Sequence, residues 1–319
     1  MSGRRNDRIA TVLLAAASLA GVLWVLANLG HASGKGSMVL LAAVFSWLAA
    51  CWLNVRLSAI VIANSRMSRL RDLLVAAIFG VFILFLWEVA VAVYQIPFIL
   101  LPPPSAIGAR ILQSLPILAA DFNQTVLKAV LFGFCAGSVS GFLVAVLADR
   151  YGFLARGLLP IGNMVSALPI IGIAPIMVIW FGFDWQSKAA VVIVMTFFPM
   201  LVNTLAGLAA SSQMERDLMR TYASDHWQTL FRLRLPAAMP FVFNALKINS
   251  TLALIGAIVA EFFGTPVVGM GFRISTEVGR MNLDMVWAEI AVAALAGSLF
   301  YGLLALLERT TTFWHPSYR

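Results

Sequence analysis

Charged residues are scarce in this sequence. Asp, Glu, Lys and Arg make up only 11% of its 319 residues, whereas 61% are hydrophobic, and the mean hydropathy is +0.92. Soluble domains contain about 25% charged and roughly 45–50% apolar residues. The composition therefore excludes a soluble globular protein and indicates an integral membrane protein. The net charge of +8 does not indicate nucleic-acid binding, because the basic residues lie in short loops between apolar runs.

Cysteines and catalytic motifs are lacking as well. The two cysteines, Cys51 and Cys135, both lie in apolar runs, so the sequence supports neither a disulfide framework nor a metal site. The chain contains no G-x-x-x-x-G-K-[ST] phosphate loop, no G-x-S-x-G motif and no H-E-x-x-H motif. We therefore expect no catalytic residue, no ATP hydrolysis by this chain itself, and no cofactor or metal bound to it.

Long apolar runs predict an all-α membrane protein with about eight transmembrane helices. A helix needs about 20 residues to cross the hydrocarbon core. The first run follows Arg4, Arg5 and Arg8, as in a signal peptide, but it exceeds the signal-peptide core of about 7–15 residues, so we expect a retained span. The predicted spans are residues 9–30, 37–55, 73–96, 124–148, 158–183, 189–210, 241–263 and 286–307.

The distribution of lysine and arginine predicts the orientation of these spans. With the N-terminus in the cytoplasm, 15 basic residues lie on the inner side and five on the outer side, while Lys128 and Lys247 lie within spans. Basic residues are enriched in cytoplasmic loops of membrane proteins. We therefore predict that both termini are cytoplasmic.

Three ionisable residues lie in the outer halves of their spans: Glu88, Lys128 and Glu261. Charges at this depth are energetically costly and are usually paired or functional. The economical interpretation is an ion pair of Lys128 with Glu88 or Glu261. The alternative is a path for an anion or a zwitterion.

The fifth run is interrupted by proline. Pro160, Pro169 and Pro175 predict a kinked or broken helix, which lipid tolerates only where protein or water covers the freed backbone groups. Such a segment lines a pore or forms a packing kink, and the sequence leaves both interpretations open. The candidate residues for a substrate pathway are Pro169, Pro175, Asn203, Asn249, Ser250 and Glu261.

The loop of residues 217–240 is the most amphipathic stretch of the chain. Leu218, Tyr222, Trp227 and Leu230 can share one side of a helix, with charged residues elsewhere. Two prolines, at 236 and 240, are expected to stop regular structure before the next span. The loop can dock against a partner on the inner side or lie as an amphipathic helix in the headgroup region.

This loop resembles the EAA loop of permeases of binding-protein-dependent ABC importers. Asp217-Leu218-Met219 stands where that family has Glu-Ala-Ala, Ala223 stands at its glycine, and Leu233-Arg234-Leu235-Pro236 matches I-x-L-P. Because alanine is the better helix former, we expect a less sharp turn at Ala223. Further segments resemble the nitrate, sulfonate and taurine branch of the family, at residues 100–104, 167–170, 174–175, 179–182, 198–207, 257–262 and 313–316.

The resemblance implies an ABC importer permease of type I architecture over residues 73–316. Two extra N-terminal spans, residues 1–72, would precede this six-helix core, and residues 211–240 would form its coupling loop. That loop would couple closure of an ATPase to transport. The coupling residues would be Asp217, Arg220, Ala223, Trp227, Leu235 and Pro236.

The resemblance also implies partners in the bacterial cytoplasmic (inner) membrane. They are a second permease copy in a homodimer, two ATPase subunits that bind ATP and Mg, and a periplasmic or lipid-anchored substrate-binding protein. The cargo would be a small anionic or zwitterionic solute, or alternatively a pyrimidine precursor or riboflavin. A secondary transporter or a channel subunit is a more remote alternative, because neither inverted repeats nor a filter-like repeat is found.

Overall fold

The structure is a computed structural model that describes residues 2–28, 32–60, 64–166, 169–264 and 267–314. Within these ranges every regular element is helical, which confirms the predicted all-α membrane protein. The chain divides into two compact units. The first comprises residues 1–113 and 281–285, and the second comprises residues 114–280 and 286–319.

The described residues of the first unit form four helices: α1 (Ser2–Asn28), α2 (Ala32–Ser58), α3 (Ser65–Val93) and α4 (Pro104–Gln113). Buried side chains of α1, α2 and α3 form a common apolar core, made by Val25, Val39, Ala43, Phe85 and Val89. In packing, α3 therefore belongs with the two N-terminal helices. The functional boundary predicted after residue 72 stays a prediction.

Glu88 joins α3 to the start of α4 within this unit. Its Oε2 accepts a hydrogen bond from the backbone N–H of Ser105 at 2.9 Å, and its Oε1 accepts one from the Ser105 hydroxyl at 2.7 Å. A carboxylate is favoured here because the first N–H groups of a helix lack intrahelical partners and carry partial positive charge. Glu88 thus caps a helix, and its predicted ion pair with Lys128 stays a prediction.

Among its described residues, the second unit contains nine α-helices and two π-helical segments, and α14 (Leu283–Thr311) begins in the first unit and continues in the second. The π-helical segments are π1 (Asn123–Val130) and π2 (Leu230–Arg234). The nine helices are α5 (Leu115–Phe122), α6 (Leu131–Arg150), α7 (Gly152–Ser166), α8 (Ile170–Phe181), α9 (Trp185–Ala209), α10 (Gln213–Thr221), α11 (His226–Thr229), α12 (Leu235–Glu261) and α13 (Met270–Gly279).

Helix α9 packs closely against α6 and α12 because glycines stand at the contacts. Gly137 and Gly141 lie four residues apart in α6, a spacing of small residues that lets helices pack closely. A Cβ atom added at Gly137 would lie 2.8 Å from the carbonyl oxygen of Ile193 in α9. A Cβ atom added at Gly207 would lie 3.0 Å from the Cα atom of Ala238 in α12. These backbones can approach only where no side chain intervenes.

The two π-helical segments lie inside long continuous helices, over residues 115–150 and 226–261. The prediction that regular structure stops at Pro236 and Pro240 is wrong, because the chain stays helical through both. In π2 the N–H of Leu235 bonds the carbonyl of Leu230, five residues back. This wider turn accommodates Pro236, which has no N–H and would clash with a carbonyl in a regular α-helix. The fourth span likewise begins earlier than predicted, at Leu115.

The fifth apolar run is broken, as predicted. Helix α7 ends at Ser166 and α8 begins at Ile170, with Pro169 in extended conformation (φ −69°, ψ 122°) before it. Pro175 lies inside α8. The predicted motif residues 167, 168, 315 and 316 lie outside the described residues.

Among the described residues, six helices are long and apolar enough to cross a membrane. The first predicted span corresponds to α1, whose described apolar part is 16 residues long (Leu13–Asn28), and the fifth corresponds to the pair α7 and α8. The structure therefore has six long apolar helices together with shorter ones. The six are Gly36–Ser58, Met67–Val93, Leu115–Arg150, Trp185–Ala209, His226–Glu261 and Leu283–Thr311.

Candidate functional site

The predicted inner loop begins with a strongly capped helix, α10. The Ser212 hydroxyl accepts from the backbone N–H of Glu215 at 3.3 Å, and the Glu215 carboxylate accepts from the Ser212 N–H at 2.8 Å. This reciprocal capping box satisfies two N–H groups that the helix cannot satisfy itself. The hydrogen bond from the Ser212 N–H also holds the pKa of Glu215 below its usual value. The start of α10 is thus fixed locally in water.

Helix α10 ends in a sharp left-handed turn at Ala223, which has φ +54°. The N–H of Ala223 bonds the carbonyl of Arg220 at 2.9 Å, and the N–H of Ser224 bonds that of Met219 at 3.0 Å. These two bonds form a Schellman motif, in which glycine usually occupies the left-handed position. The expectation of a less sharp turn is therefore wrong, because the two hydrogen bonds dictate the backbone despite the helix propensity of alanine.

The loop carries an exposed apolar surface. Met214, Leu218 and Tyr222 recur every four residues along α10 and are 82%, 55% and 76% exposed. After the turn, the rings of Trp227 and Phe231 stack with centroids 6.1 Å apart, and both are exposed. An apolar stripe on a polar loop is typical of a surface that binds a partner.

The charged residues Asp217 and Arg220 of α10 contribute little to the stability of the loop. Asp217 and Arg220 pair at 3.4 Å, with side chains 56% and 78% exposed. Ion pairs this exposed stabilise a protein by about 0–1 kcal/mol. Both groups are therefore free to engage a partner.

Behind the loop, Arg234 holds three elements together. Its guanidinium donates to both carboxylate oxygens of Asp149 in α6, at 2.6 and 2.7 Å, and its Nε donates to the carbonyl of Leu208 in α9 at 3.0 Å. Leu235 packs beside it against Leu230. Sequence reasoning placed Arg234 only in the match to I-x-L-P and did not identify Asp149. The available signal was a carboxylate at the inner end of a span, where a helix C-terminus disfavours negative charge.

The pathway candidates differ in exposure. Pro169 is exposed and Pro175 and Asn203 are partly exposed, whereas Asn249, Ser250 and Glu261 are buried. The Asn249 amide donates to the Ser138 hydroxyl at 3.0 Å and to the carbonyl of Thr196 at 2.8 Å. Asn249 therefore links α12 to α6 and α9.

Glu261 belongs to a buried polar cluster around the start of α13. Its carboxylate accepts from the Thr125 hydroxyl and from the backbone N–H of Gly271, both at 2.7 Å. Thr125 in turn accepts from the N–H of Met270 at 2.9 Å. Helix α13 thus begins with buried residues.

Asp121 also belongs to this buried polar cluster. Its Oδ1 accepts from the N–H of Gly269 at 2.6 Å, and its Oδ2 accepts from Arg273 Nε at 2.8 Å. The Asp121 side chain is fully buried and that of Arg273 is 19% exposed. Gly269 has φ +143°, a conformation that essentially requires glycine. Sequence reasoning missed Asp121 and Arg273 because they lie far apart along the chain.

The predicted pairing of Lys128 with Glu261 is wrong. Lys128 Nζ donates to Gln124 Oε1 at 3.0 Å, while the Glu261 carboxylate is occupied by backbone and hydroxyl donors. The other lysine within a span, Lys247, pairs with Glu308 at 2.8 Å. Lys128, Glu261 and Lys247 thus each have a polar partner in the structure. Sequence reasoning identified none of these partners.

The family described as binding-protein-dependent transport system inner membrane component matches residues 133–313, more than half of the chain. The chain belongs to this family. It is therefore a multi-pass inner membrane permease of an ABC transporter and not itself an enzyme, and such a transporter includes an ATPase and a binding protein. The resemblance drawn from the loop is confirmed.

The permease is similar to transport proteins with different named substrates. A formylaminopyrimidine transport permease protein of Halalkalibacterium halodurans is 29% identical, over 78% of this chain and 98% of the relative. A riboflavin transport system permease protein of Chloroflexus aurantiacus is 28% identical, over 74% and 88%. A taurine transport system permease protein of Escherichia coli is 30% identical, over 62% and 70%.

The left-handed turn of the permease predicts that Ala223→Gly stabilises the loop. A left-handed residue other than glycine costs roughly 1–2 kcal/mol, so the substitution is expected to increase the opening free energy of α10 by about 1 kcal/mol. Hydrogen exchange of the α10 amides measures this change. The control Ala206→Gly, inside α9, should instead destabilise its helix by about 1 kcal/mol. Unchanged protection of α10 in Ala223→Gly would contradict the strain.

The buried polar cluster predicts that substitutions of two arginines near α13 of the permease reduce its stability by different amounts. Arg273→Met strands the buried carboxylate of Asp121 and should cost about 3–5 kcal/mol of stability, read as a lower thermal midpoint in detergent. Arg280→Met removes a side chain that is 67% exposed from a 3.3 Å contact with Glu277, which is 7% exposed, and should cost less than Arg273→Met. The double variant Asp121→Asn/Arg273→Met should recover stability relative to Arg273→Met, and equal losses for both arginines would contradict the cluster.

Proposed function

We propose that this permease forms the substrate pathway of an ABC importer and that residues 211–240 are its coupling loop. The observation that carries the proposal is the exposed stripe of Met214, Leu218 and Tyr222, held between a capping box and a Schellman turn. A rigid apolar surface of this kind suits a partner that pushes on it. The partner is the ATPase subunit, which binds the ATP and Mg.

A membrane surface is the less suitable partner for α10. The helix carries Glu215 and Asp217 beside Arg216 and Arg220, so its charges balance. Interfacial helices are typically rich in lysine and arginine on their polar face, because anionic lipids attract them. At nine residues, α10 is also short for such a helix. Docking to a protein therefore accounts better for its composition.

The wider assembly follows the family. We propose a homodimer of the permease with two ATPase subunits and a periplasmic or lipid-anchored binding protein, in a type I importer architecture. Residues 73–316 would form the permease domain, with residues 1–72 as two additional spans. Residues 95–115 and 264–283 would lie on the outer side, and their exposed parts would meet the binding protein.

The proposed cargo is a small anionic or zwitterionic solute of the nitrate, sulfonate or taurine kind. It is supported by the taurine permease at 30% identity and by an outer crevice of about 310 Å³ lined by Lys128, Gln124 and Asp184. A pyrimidine precursor or riboflavin is the second candidate, because relatives named for these compounds match larger shares of the chain. Stimulation of the assembled transporter by its binding protein, loaded with taurine or with riboflavin, distinguishes the two.

The proposed orientation, with both termini cytoplasmic, predicts the labelling of single cysteines after Cys51 and Cys135 are replaced by serine. Gln186→Cys should react with a membrane-impermeant thiol reagent from outside, and Gln213→Cys only from inside. Asn203→Cys, a pathway candidate, should react with a water-soluble reagent, whereas the buried control Thr204→Cys should not. Labelling of Gln213→Cys from outside would overturn the topology.

The coupling loop predicts that Leu218→Glu weakens binding of the ATPase subunit. A charge in the middle of an apolar contact should reduce affinity at least about tenfold, measured by binding of the purified ATPase to the detergent-solubilised permease. Gln213→Glu, on the same helix about 140° from the centre of the stripe, is the matched control and should bind normally. Normal ATPase binding by Leu218→Glu would mean that α10 is only an interfacial helix.

A further inference from the structure

We propose that Arg234 is the positioning residue through which movement of the coupling loop reaches α6 and α9. The inference rests on the proposed coupling function of residues 211–240. Arg234 contacts neither cargo nor ATP in this assignment. It acts by fixing the loop exit to the inner ends of two helices at once.

The geometry of the Arg234 side chain is that of a clamp. Two guanidinium nitrogens meet the two carboxylate oxygens of Asp149, and Nε meets the carbonyl oxygen of Leu208. The side chains of Arg234 and Asp149 are only 15% and 12% exposed. A planar guanidinium that donates in three directions fixes orientation as well as distance, which a lysine ammonium cannot do.

Both acceptors of Arg234 lie at helix ends that need a cation. Asp149 is the second-last residue of α6, where the partial negative charge of the helix C-terminus opposes a carboxylate. Leu208 lies in the last turn of α9, whose final carbonyls have no intrahelical N–H partner. The guanidinium satisfies both requirements, so its removal breaks contacts to α6 and to α9 together.

Arg234 lies where the coupling loop leads into the long helix α12. It is the last residue of π2, directly between the short helix α11 and the long span α12. Around it, Leu230 of π2 packs with Leu208 of α9, Ala238 of α12 and Val146 of α6 in one apolar cluster. A displacement of α11 therefore reaches α6, α9 and α12 through this contact region, while α10 also contacts the end of α9 through Arg216.

A bistable link can transmit motion only where the contact is stiff. The apolar cluster around Leu230 supplies packing but little directionality. Arg234 supplies the direction, because its hydrogen bonds break if the loop exit rotates or slides relative to α6. Loss of the clamp should therefore leave the loop docked on the ATPase while its movement no longer drives the spans.

The experiment uses the complete transporter in proteoliposomes: permease, ATPase subunits and its binding protein with ligand. For Arg234→Gln and Arg234→Lys, ATPase binding should persist, while the stimulation of ATPase activity by loaded binding protein should fall about tenfold. Arg150→Gln, which removes a neighbouring exposed arginine outside the loop, is the matched control and should keep normal stimulation.

The double variant Asp149→Asn/Arg234→Gln separates positioning from stability. It leaves no stranded charge, so its thermal midpoint should recover toward that of the unmodified permease, while stimulation stays low. Normal stimulation in the double variant, or in Arg234→Lys, would overturn the proposal. If Arg234→Gln does not assemble, these two variants decide it. Normal ATPase binding by Leu218→Glu would instead overturn the coupling loop itself, so the two failures are distinguishable.

Discussion

Close contact between helix backbones is the constraint on which the second unit of this permease depends. In lipid, apolar side chains gain little by leaving the hydrocarbon, so helices associate through packing of small residues and through polar contacts. Gly137 and Gly207 allow α9 to touch α6 and α12 along its length. Because this packing fixes the ends of α9, Arg234 can bind both Asp149 and the last turn of α9. At its first turn, Asp184 is held by Gln124 of π1 at 2.6 Å.

Several charged side chains among the described residues complete a helix end. Glu88 binds the first turn of α4, and Asp121 and Glu261 bind the first turn of α13. Arg216 and Arg234 do the converse by donating to the last carbonyls of α9. Carboxylates at N-termini and guanidinium groups at C-termini match the partial charges of the helix. Lipid makes this match more important, since no water can satisfy the same groups.

The sequence predicted those parts of the structure that depend on local patterns. Long apolar runs located the spans, Pro169 located the break between α7 and α8, and the EAA-like loop located the family. The contacts that organise the two polar clusters join residues 85 and 152 positions apart, which no local pattern reveals. The predicted pairing of Lys128 with Glu261 failed because the sign and depth of the two charges do not show that the Glu261 carboxylate is close to a backbone N–H group. The prediction for Ala223 failed because helix propensity is a weak effect beside two hydrogen bonds that require a left-handed residue.

The π-helical segment at residues 230–234 changes the phase of the helix that contains it. One extra residue in a turn offsets everything beyond it by about 100°, the rotation per residue of an α-helix. Across residues 226–261, side chains on the two sides of π2 therefore follow two different helical faces, although the axis continues. The aromatic pair Trp227 and Phe231 faces the solvent in one phase, while Ala238, Val242 and Ala245 face the protein interior in the other. A single surplus residue thus lets one continuous helix expose its aromatic pair on one face near its start and bury its small apolar side chains on another face beyond π2.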